Sequence, residues 1–388
     1  MPTANKNTPT LRFPEFKGEW ELKKLGEITS WASGGTPPKD NPLYWDGDIP
    51  WISASSMRGI VYSDSELKIT NAGLKKGSKL AKKGSLLILV RGSMLFNKIP
   101  IGIVSKDVAF NQDVKSIVVD NYSTSEFILN WFTAFEPMIL NMVTGTGIGA
   151  GKLDLPDLKA LEIQIPTLPE QQKIATFLTA VDKKLQALKQ KKNLLEQYKK
   201  GVMQQIFSQE LRFTDDKGNA FADWKKKKLG ECLQSLPTKK HQIKTAEIKE
   251  FGKYKVIDQG QNLIAGYCDE IEFLFTNYPI IVFGDHTTAL KYIDFEFVVG
   301  ADGTKLLKCK NDNPKYVFYN LIFNNIQQQG YKRHFTMLSE IHLQIPSLKE
   351  QTKIANFLSA IDDKINQCQA QIANTEVWKK GLLQRMFV

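Results

Sequence analysis

Apolar residues recur every seven positions through two long, otherwise polar stretches of the chain. In the first, Ile174, Val181, Leu188, Leu195 and Val202 form one row, and Leu178, Leu185 and Ile206 each sit four residues after a member of it. In the second the row is Ile354, Ile361, Cys368 and Leu382, flanked by Leu358, Ile365, Ile372 and Met386. This spacing predicts two helices, each with a single apolar seam. Pro166 or Pro169 falls near the first turn, where a missing N–H costs nothing. Thr167 and Ser347 are read as N-caps, with Glu170 and Glu350 three residues on completing a capping box. No helix breaker follows until Gly201 and Gly381. A helix of about 40 residues extends roughly 60 Å. Lys192, Lys199, Thr375 and Lys379 fall on seam positions, so the expected coiled coil is imperfect.

The two stretches belong to one repeat. Residues 161–207 are rewritten without a gap at residues 341–387, a constant offset of 180. LEIQIPTLPEQQKIATFLTAVDKKLQ aligns with IHLQIPSLKEQTKIANFLSAIDDKIN, and EQYKKGVMQQIF with EVWKKGLLQRMF. Phe177 with Phe357, Tyr198 with Trp378 and Phe207 with Phe387 mark matched places and are read as core. The second globular region begins near residue 211, where the first helix ends. Parallel helices would force the chain back along their whole length, so antiparallel pairing is expected, with a pseudo-twofold axis and a globular domain at each end.

Before each helix the pattern changes to short strand signals followed by one helix. SLLILV (85–90), IGIVS (101–105) and VKSIVV (114–119) read as strands and 125–135 as a helix. In the second region 278–283, 295–300 and 304–309 read as strands and 314–328 as a helix. The openings are alike too: LRFPEFKGEWELKKLGE at 11–27 and LRFTDDKGNAFADWKKKKLGE at 211–231. Between openings and repeats the two interiors hardly match. The predicted class is α+β, with domains at 1–165 and 211–345 and spacer helices at 166–210 and 346–388.

Composition narrows the function. A net charge of +11 over 388 residues suits a polyanionic partner. Lys225–Lys228 form a basic block, with further lysines at 239, 240, 244, 249, 253 and 255. Cys232, Cys268, Cys309 and Cys368 are scattered without a CxxC pair, and the four histidines lack metal-ligand spacing. No run is long enough for a membrane span and the start lacks a signal-peptide pattern, so a cytoplasmic, nucleoid-associated location is expected.

Polar loops between the strand signals carry the residue types that read bases and phosphates. In the first region these are Thr36, Lys39, Ser53, Ser55, Arg58, Arg91, Ser93, Asn97 and Gln112. In the second they are Gln259, Gln261, His286, Thr287, Thr288, Lys291 and Lys305. Asn and Gln suit adenine, Arg and Lys suit guanine, and glycine-rich turns let backbone N–H groups approach phosphate. Constant frames around variable interiors are what interchangeable recognition modules require.

Catalytic patterns fail on inspection. Asn41-Pro42-Leu43-Tyr44 is similar to the Asn-Pro-Pro-Tyr segment of amino-methyltransferases, but Leu43 replaces the second proline and no S-adenosylmethionine loop accompanies it. TGTGIGAGKL (144–153) is close to a P-loop, yet Thr146 stands where glycine is needed and Leu153 where Ser or Thr would bind magnesium. It reads instead as a flexible, DNA-facing loop. No catalytic or metal residue is assigned.

The doubled Ile165-Pro166-Thr167-Leu168-Pro169-Glu170-Gln171 with Ile174-Ala175-Phe177-Leu178, its counterpart from Ile345-Pro346 to Leu358, and the openings around Trp20 and Trp224 resemble the specificity subunit of Type I restriction–modification systems. GGTPPKDNPLYWDGDIPWI at 34–52 is similar to the start of such a recognition domain. The resemblance implies two target-recognition domains that read the halves of a bipartite site in double-stranded DNA, with the helix pair fixing the gap. It further implies docking of two modification subunits that methylate adenine N6 and two restriction subunits, a motor-nuclease. This chain would bind no cofactor; its partners would use S-adenosylmethionine, ATP and Mg. The rival reading is a self-contained methyltransferase or nuclease with a coiled-coil arm.

Overall fold

The computed structural model describes residues 7–147, 149–300, 302–330 and 332–388. The chain divides into two compact units, residues 1–188 with 371–388, and residues 189–370. The first runs through β1 (Glu21–Lys24), β2 (Thr29–Ser33), β3 (Trp45–Ile52), β4 (Val61–Tyr62), β5 (Lys68–Ile69), α1 (Asn71–Gly77), β6 (Lys79–Ala81) and β7 (Leu86–Leu89). Next come β8 (Arg91–Gly92), β9 (Ile101–Val104), β10 (Val108–Phe110), β11 (Val114–Val119), α2 (Ser125–Ala134) and α3 (Glu136–Leu140). β12 (Thr144–Gly145), β13 (Gly151–Lys152), α4 (Leu155–Ala160) and β14 (Glu162–Ile165) then lead into α5 (Leu168–Phe207).

The second domain runs through β15 (Lys225–Lys228), α6 (Leu229–Cys232), β16 (Leu233–Leu236), β17 (Tyr254–Ile257), β18 (Gly266–Cys268), β19 (Leu274–Phe275) and β20 (Ile280–Gly284). β21 (Leu290–Ile293), β22 (Phe297–Val299), β23 (Thr304–Cys309), α7 (Pro314–Phe323), α8 (Phe335–Ser339) and β24 (His342–Ile345) precede α9 (Leu348–Met386).

The interiors that share almost no sequence share their connectivity. The first domain has sheets ordered β2-β11-β7-β9-β4 and β5-β3-β10-β6; the second has β16-β23-β20-β21 and β18-β17-β22-β19. In chain order β2, β3, β5, β6, β7, β9, β10 and β11 correspond one to one with β16 through β23. In both, the middle of the second sheet is a parallel pair, β3 with β10 and β17 with β22. A core needs apolar volume at these positions rather than particular residues, so the topology outlives the sequence. β7 and β20 are buried along their whole length, which is why they read as unbroken apolar runs.

The repeated frame is built the same way twice. β1 pairs antiparallel with β14, and β15 with β24. The four lysines of β15 are therefore a strand, against their intrinsic preference. Their backbone is held by the ladder to β24, between the buried anchors Trp224 and Leu229.

The glutamates expected to close capping boxes do something else. Ser347 Oγ does accept the Glu350 N–H (3.4 Å), but the Glu350 carboxylate turns inward and is fully buried. It accepts Arg212 Nε (3.1 Å), an Arg212 terminal nitrogen (3.0 Å) and Trp224 Nε1 (3.1 Å). Glu170 accepts the same three donors from Arg12 (2.7 Å and 2.7 Å) and Trp20 (3.3 Å). The next residue is a second latch. The side chains of Gln171 and Gln351 accept the backbone N–H at the N-caps of α2 and α7, from Thr124 (3.1 Å) and Asn313 (2.7 Å). Each Glu-Gln pair thus fastens the segment that leads into a domain's first strand, and that domain's helix, to the start of the helix that follows it.

α5 and α9 contain 40 and 39 residues. Within each unit the segments present run antiparallel. In the first, Arg12 meets Glu170 while Leu11 N–H donates to Arg385 O (2.8 Å), and farther along α5 Asp182 meets Lys379 (2.5 Å). In the second, Lys199 meets Asp362 (2.6 Å). Asp182 and Asp362 are 180 apart, as are Lys199 and Lys379, so the lysines that interrupt the seam form the same ion pair in each unit. Ile174, Leu178, Val181, Val202, Ile354, Leu358, Ile361, Cys368, Ile372 and Leu382 are buried; Leu185, Leu188, Leu195 and Ile365 are half-buried. Tyr198 and Trp378, expected in the core, are instead about half exposed, at 53% and 47%. α7 ends at Phe323, short of the expected 328.

Candidate nucleic-acid interface

The polar loops of the first domain converge at the ends of β3, β10 and β7. Asn111 N–H donates to Ile52 O (3.0 Å), joining the loops that leave the parallel pair. The buried Asn111 side chain then accepts Asp113 N–H and Val114 N–H, both at 3.1 Å, fixing the turn that carries Gln112. Gly35 N–H reaches Phe110 O (2.9 Å), an approach that requires glycine next door, because a Cβ on Gly34 would lie 2.1 Å from that oxygen. This contact brings Thr36 Oγ1 to Gln112 Oε1 (2.7 Å). The Ser53 and Ser55 hydroxyls are 3.0 Å apart just beyond β3. β8, following β7, presents Arg91 and leads into the short helical turn Ser93–Phe96.

Thr36, Ser53, Ser55, Arg91, Ser93 and Gln112 therefore share one end of the domain. Ser55, Arg91, Ser93 and Gln112 are exposed there. Lys39, Arg58 and Asn97 are exposed on adjoining segments. Within the TGTGIGAGKL segment β12 pairs antiparallel with β13, and β13 pairs with β8, setting Lys152 opposite Arg91. Asn41 accepts the Leu43 N–H (3.0 Å), which makes it a cap of a short turn. Sequence reasoning missed Lys115, whose ammonium joins Ser33 Oγ (2.7 Å) to Gln112 O (2.6 Å). Burial pulls that ammonium below the usual lysine range while Asp113 acts the other way.

The second domain repeats the arrangement with different side chains. Gly300 N–H donates to Ile257 O (2.8 Å), the counterpart of the Asn111–Ile52 bond. Gln259 is the hub. Its Nε2 donates to Asp302 O (2.8 Å), its Oε1 accepts His286 N–H (3.2 Å), and its backbone oxygen accepts the Thr287 hydroxyl. Gly303, at φ +88°, makes this possible, since a Cβ there would lie 2.6 Å from Gln259 Oε1 and 2.8 Å from His286 Cδ2. Gln261 Nε2 donates to Thr287 O (3.4 Å), and Lys305 lies 3.8 Å from Asp285.

Two of the expected surface residues face inward. Lys291 is 5% exposed, with its ammonium on Asp258 O (2.8 Å) and Oδ1 (3.3 Å). Burial lowers its pKa and Asp258 opposes that shift. Its role is to brace the loop, because a buried paired ammonium presents no charge to a ligand. Thr288 is also buried, at φ 56°, and its carbonyl accepts Asn325 Nδ2 (2.9 Å). Asp285, Asp302, Asn325 and His334 complete this network, and nothing in their local sequence distinguishes them from ordinary loop residues.

The first cluster offers exposed hydroxyls, an amide and a cation, and the second an exposed Gln261 beside the half-buried Gln259, His286, Thr287 and Lys305, on loops whose backbones are pinned by one another. That suits recognition of a polar polyanion by many weak contacts. Among the described residues no group of His, Cys, Asp or Glu could hold a metal ion, and no helix is long and apolar enough to cross a membrane.

The sequence profile described as Type I restriction modification DNA specificity domain matches residues 17–197 and 222–375, one copy for each domain with the helix that follows it. The chain belongs to this family. It is 33% identical over 174 residues to the EcoR124I/EcoR124II specificity subunit of Escherichia coli, covering 44% of this chain and 43% of that one. It is 28% identical over 265 residues to the MjaIX specificity subunit of Methanocaldococcus jannaschii, covering 67% and 56%. The chain thus spans about half the length of these two relatives. The MjaVIII specificity subunit of the same organism aligns over 96% of this chain and 92% of its own, at 24% identity. The fold resembles the crystal structure of a Type I restriction–modification S subunit from M. genitalium, with TM-score 0.64, 17% identity and coverage of 98% and 99%.

Proposed function

We propose that this specificity-family chain chooses the DNA sequence for a Type I restriction–modification complex. Its two domains read the two halves of a bipartite site in double-stranded DNA. The observation that carries the reading is the contrast between frame and contents. Connectivity, latches and helix ion pairs are the same in both units, while the loop clusters at the strand ends share almost no side chains. A chain that presents two unlike surfaces on one duplicated frame suits an asymmetric, two-part target.

In this reading the chain performs no bond chemistry. The paired helices set the gap between half-sites and dock two modification subunits that methylate adenine N6, and two restriction subunits. S-adenosylmethionine, ATP and Mg belong to those partners, which would take the target adenine out of the stack. The site of action is the cytoplasm, on the nucleoid.

The test is base-resolution mapping of methyladenine in cells that express the chain with its modification subunit. Arg91→Ala should alter the half-site read by the first domain and Gln261→Ala only the other. One substitution that alters both halves would defeat the modular reading. Turnover by the purified chain alone, with S-adenosylmethionine or Mg and DNA, would favour a self-contained enzyme.

A further inference from the structure

The stretch between α7 and α8 opens with residues 324–328, through which the apolar pattern extends the helix, and none of the candidate contacts falls in residues 324–330 or 332–334. Its described residues are non-helical and both its ends are tied into the second domain's loop cluster. At the near end Asn325 Nδ2 donates to Thr288 O (2.9 Å). At the far end His334, fully buried, donates its backbone N–H to Asp285 O and Oδ1 (both 2.8 Å) and its Nδ1–H to Asp285 O (2.9 Å). The other ring nitrogen accepts Gln329 N–H (3.0 Å), and Phe335 N–H reaches Asp285 Oδ1 (2.7 Å). Asp285 is itself fixed to the Gly303 turn through its N–H (2.7 Å). A buried imidazole and a buried carboxylate thus strap this segment beside His286 and Gln259.

The strap leaves Gln327, Gln328, Gln329, Lys332 and Arg333 exposed. Lys332 Nζ lies 2.7 Å from Gln329 Oε1, so cation and amide stand together. The first domain does the same at the same point of its connectivity. Between α3 and α4 its β12 pairs with β13, which lies on β8 beside Arg91, with Lys152 exposed. Two unrelated sequences therefore bring the last segment before the frame strand onto the strand-end cluster, which a mere connecting loop has no need to do.

We infer that residues 327–330, 332 and 333 belong to a further DNA-contacting surface of the second domain, with Gln327, Gln328 and Arg333 at base edges and Lys332 at phosphate. This rests on the DNA reading proposed above. Glutamine offers the paired donor and acceptor that suit adenine, and arginine the fork that suits guanine. All four side chains are exposed, so truncating them leaves the fold's core untouched.

The test uses the full chain expressed with its modification subunit, with methyladenine mapping and DNA affinity measured for Gln327→Ala, Gln328→Ala, Arg333→Ala and Lys332→Ala. Arg333→Ala or a glutamine variant should relax one position of one half-site by roughly 5- to 150-fold, the other half-site serving as internal control. Lys332→Ala should weaken binding without changing the motif and reduce the salt slope by about one contact. Unchanged motifs with affinities within about two-fold for all four variants, or changes at both half-sites, would overturn the inference. If the unaltered chain yields no bipartite motif, the DNA reading itself fails instead.

Discussion

Replacing Glu170 by alanine probes what holds the first domain to its helix. The Glu170 carboxylate is 1% exposed and accepts two bonds from Arg12, both at 2.7 Å, and one from Trp20 Nε1 at 3.3 Å. The substitution strands a mostly buried guanidinium, 17% exposed, and a buried indole N–H. Breaking a buried ion pair from one side costs about 3–5 kcal/mol. Arg12 keeps its bond to Gly18 O (2.6 Å), which favours the lower end. We therefore expect Glu170→Ala to destabilise the first unit by about 3 kcal/mol and Glu170→Gln by about 1–2 kcal/mol, since the amide retains an acceptor. Denaturant unfolding followed by tryptophan fluorescence and calorimetry measures this, and an Arg12→Ala/Glu170→Ala cycle isolates the coupling. Glu350→Ala should weaken the second unit by a similar amount and leave the first alone. A cost below about 1 kcal/mol, or a coupling near zero, would refute the latch.

The repeated ion pairs predict that Lys379→Asp, which sets two carboxylates together at Asp182, costs about 1 kcal/mol, and that adding Asp182→Lys restores most of it; melting temperatures of these two variants and the unaltered chain decide. Gly303→Ala forces a methyl into Gln259 and His286 at a positive φ, so it should cost about 1–3 kcal/mol and degrade one half-site, read by methyladenine mapping. Burial beside Asp312 pushes the Cys232 thiol up to about 11 and that of Cys309 up to about 12. At pH 8 only about one Cys232 in a thousand is thiolate, so iodoacetamide should label these two slowly in the folded chain and quickly in urea, by mass spectrometry.

The helices were legible because a seven-residue period sustained over their length leaves no other reading. Strands 114–119 and 304–309 were read to the residue because turn residues bound them on both sides. β15 was not, because its pairing with β24 is long-range and four lysines carry no strand signal. Glu170 and Glu350 matched a local capping pattern, but their partners Arg12 and Arg212 come from far away in sequence. Lys291 was legible as a charge and not as a buried one, since composition does not say which way a side chain turns. The loop clusters were visible only as scattered polar segments. What assembled them was the shared sheet connectivity, which leaves no trace when the two interiors share so little sequence.

In the proposed function one chain reads two half-sites through two independent domains on a common frame. Its most direct measurement is the methyladenine map of DNA from cells expressing the unaltered chain with its modification subunit. If the two domains read independently, that map shows one asymmetric motif in two parts separated by a fixed gap of unspecified bases. A single uninterrupted site, a palindrome, or methylation that persists unchanged when this chain is deleted would contradict it.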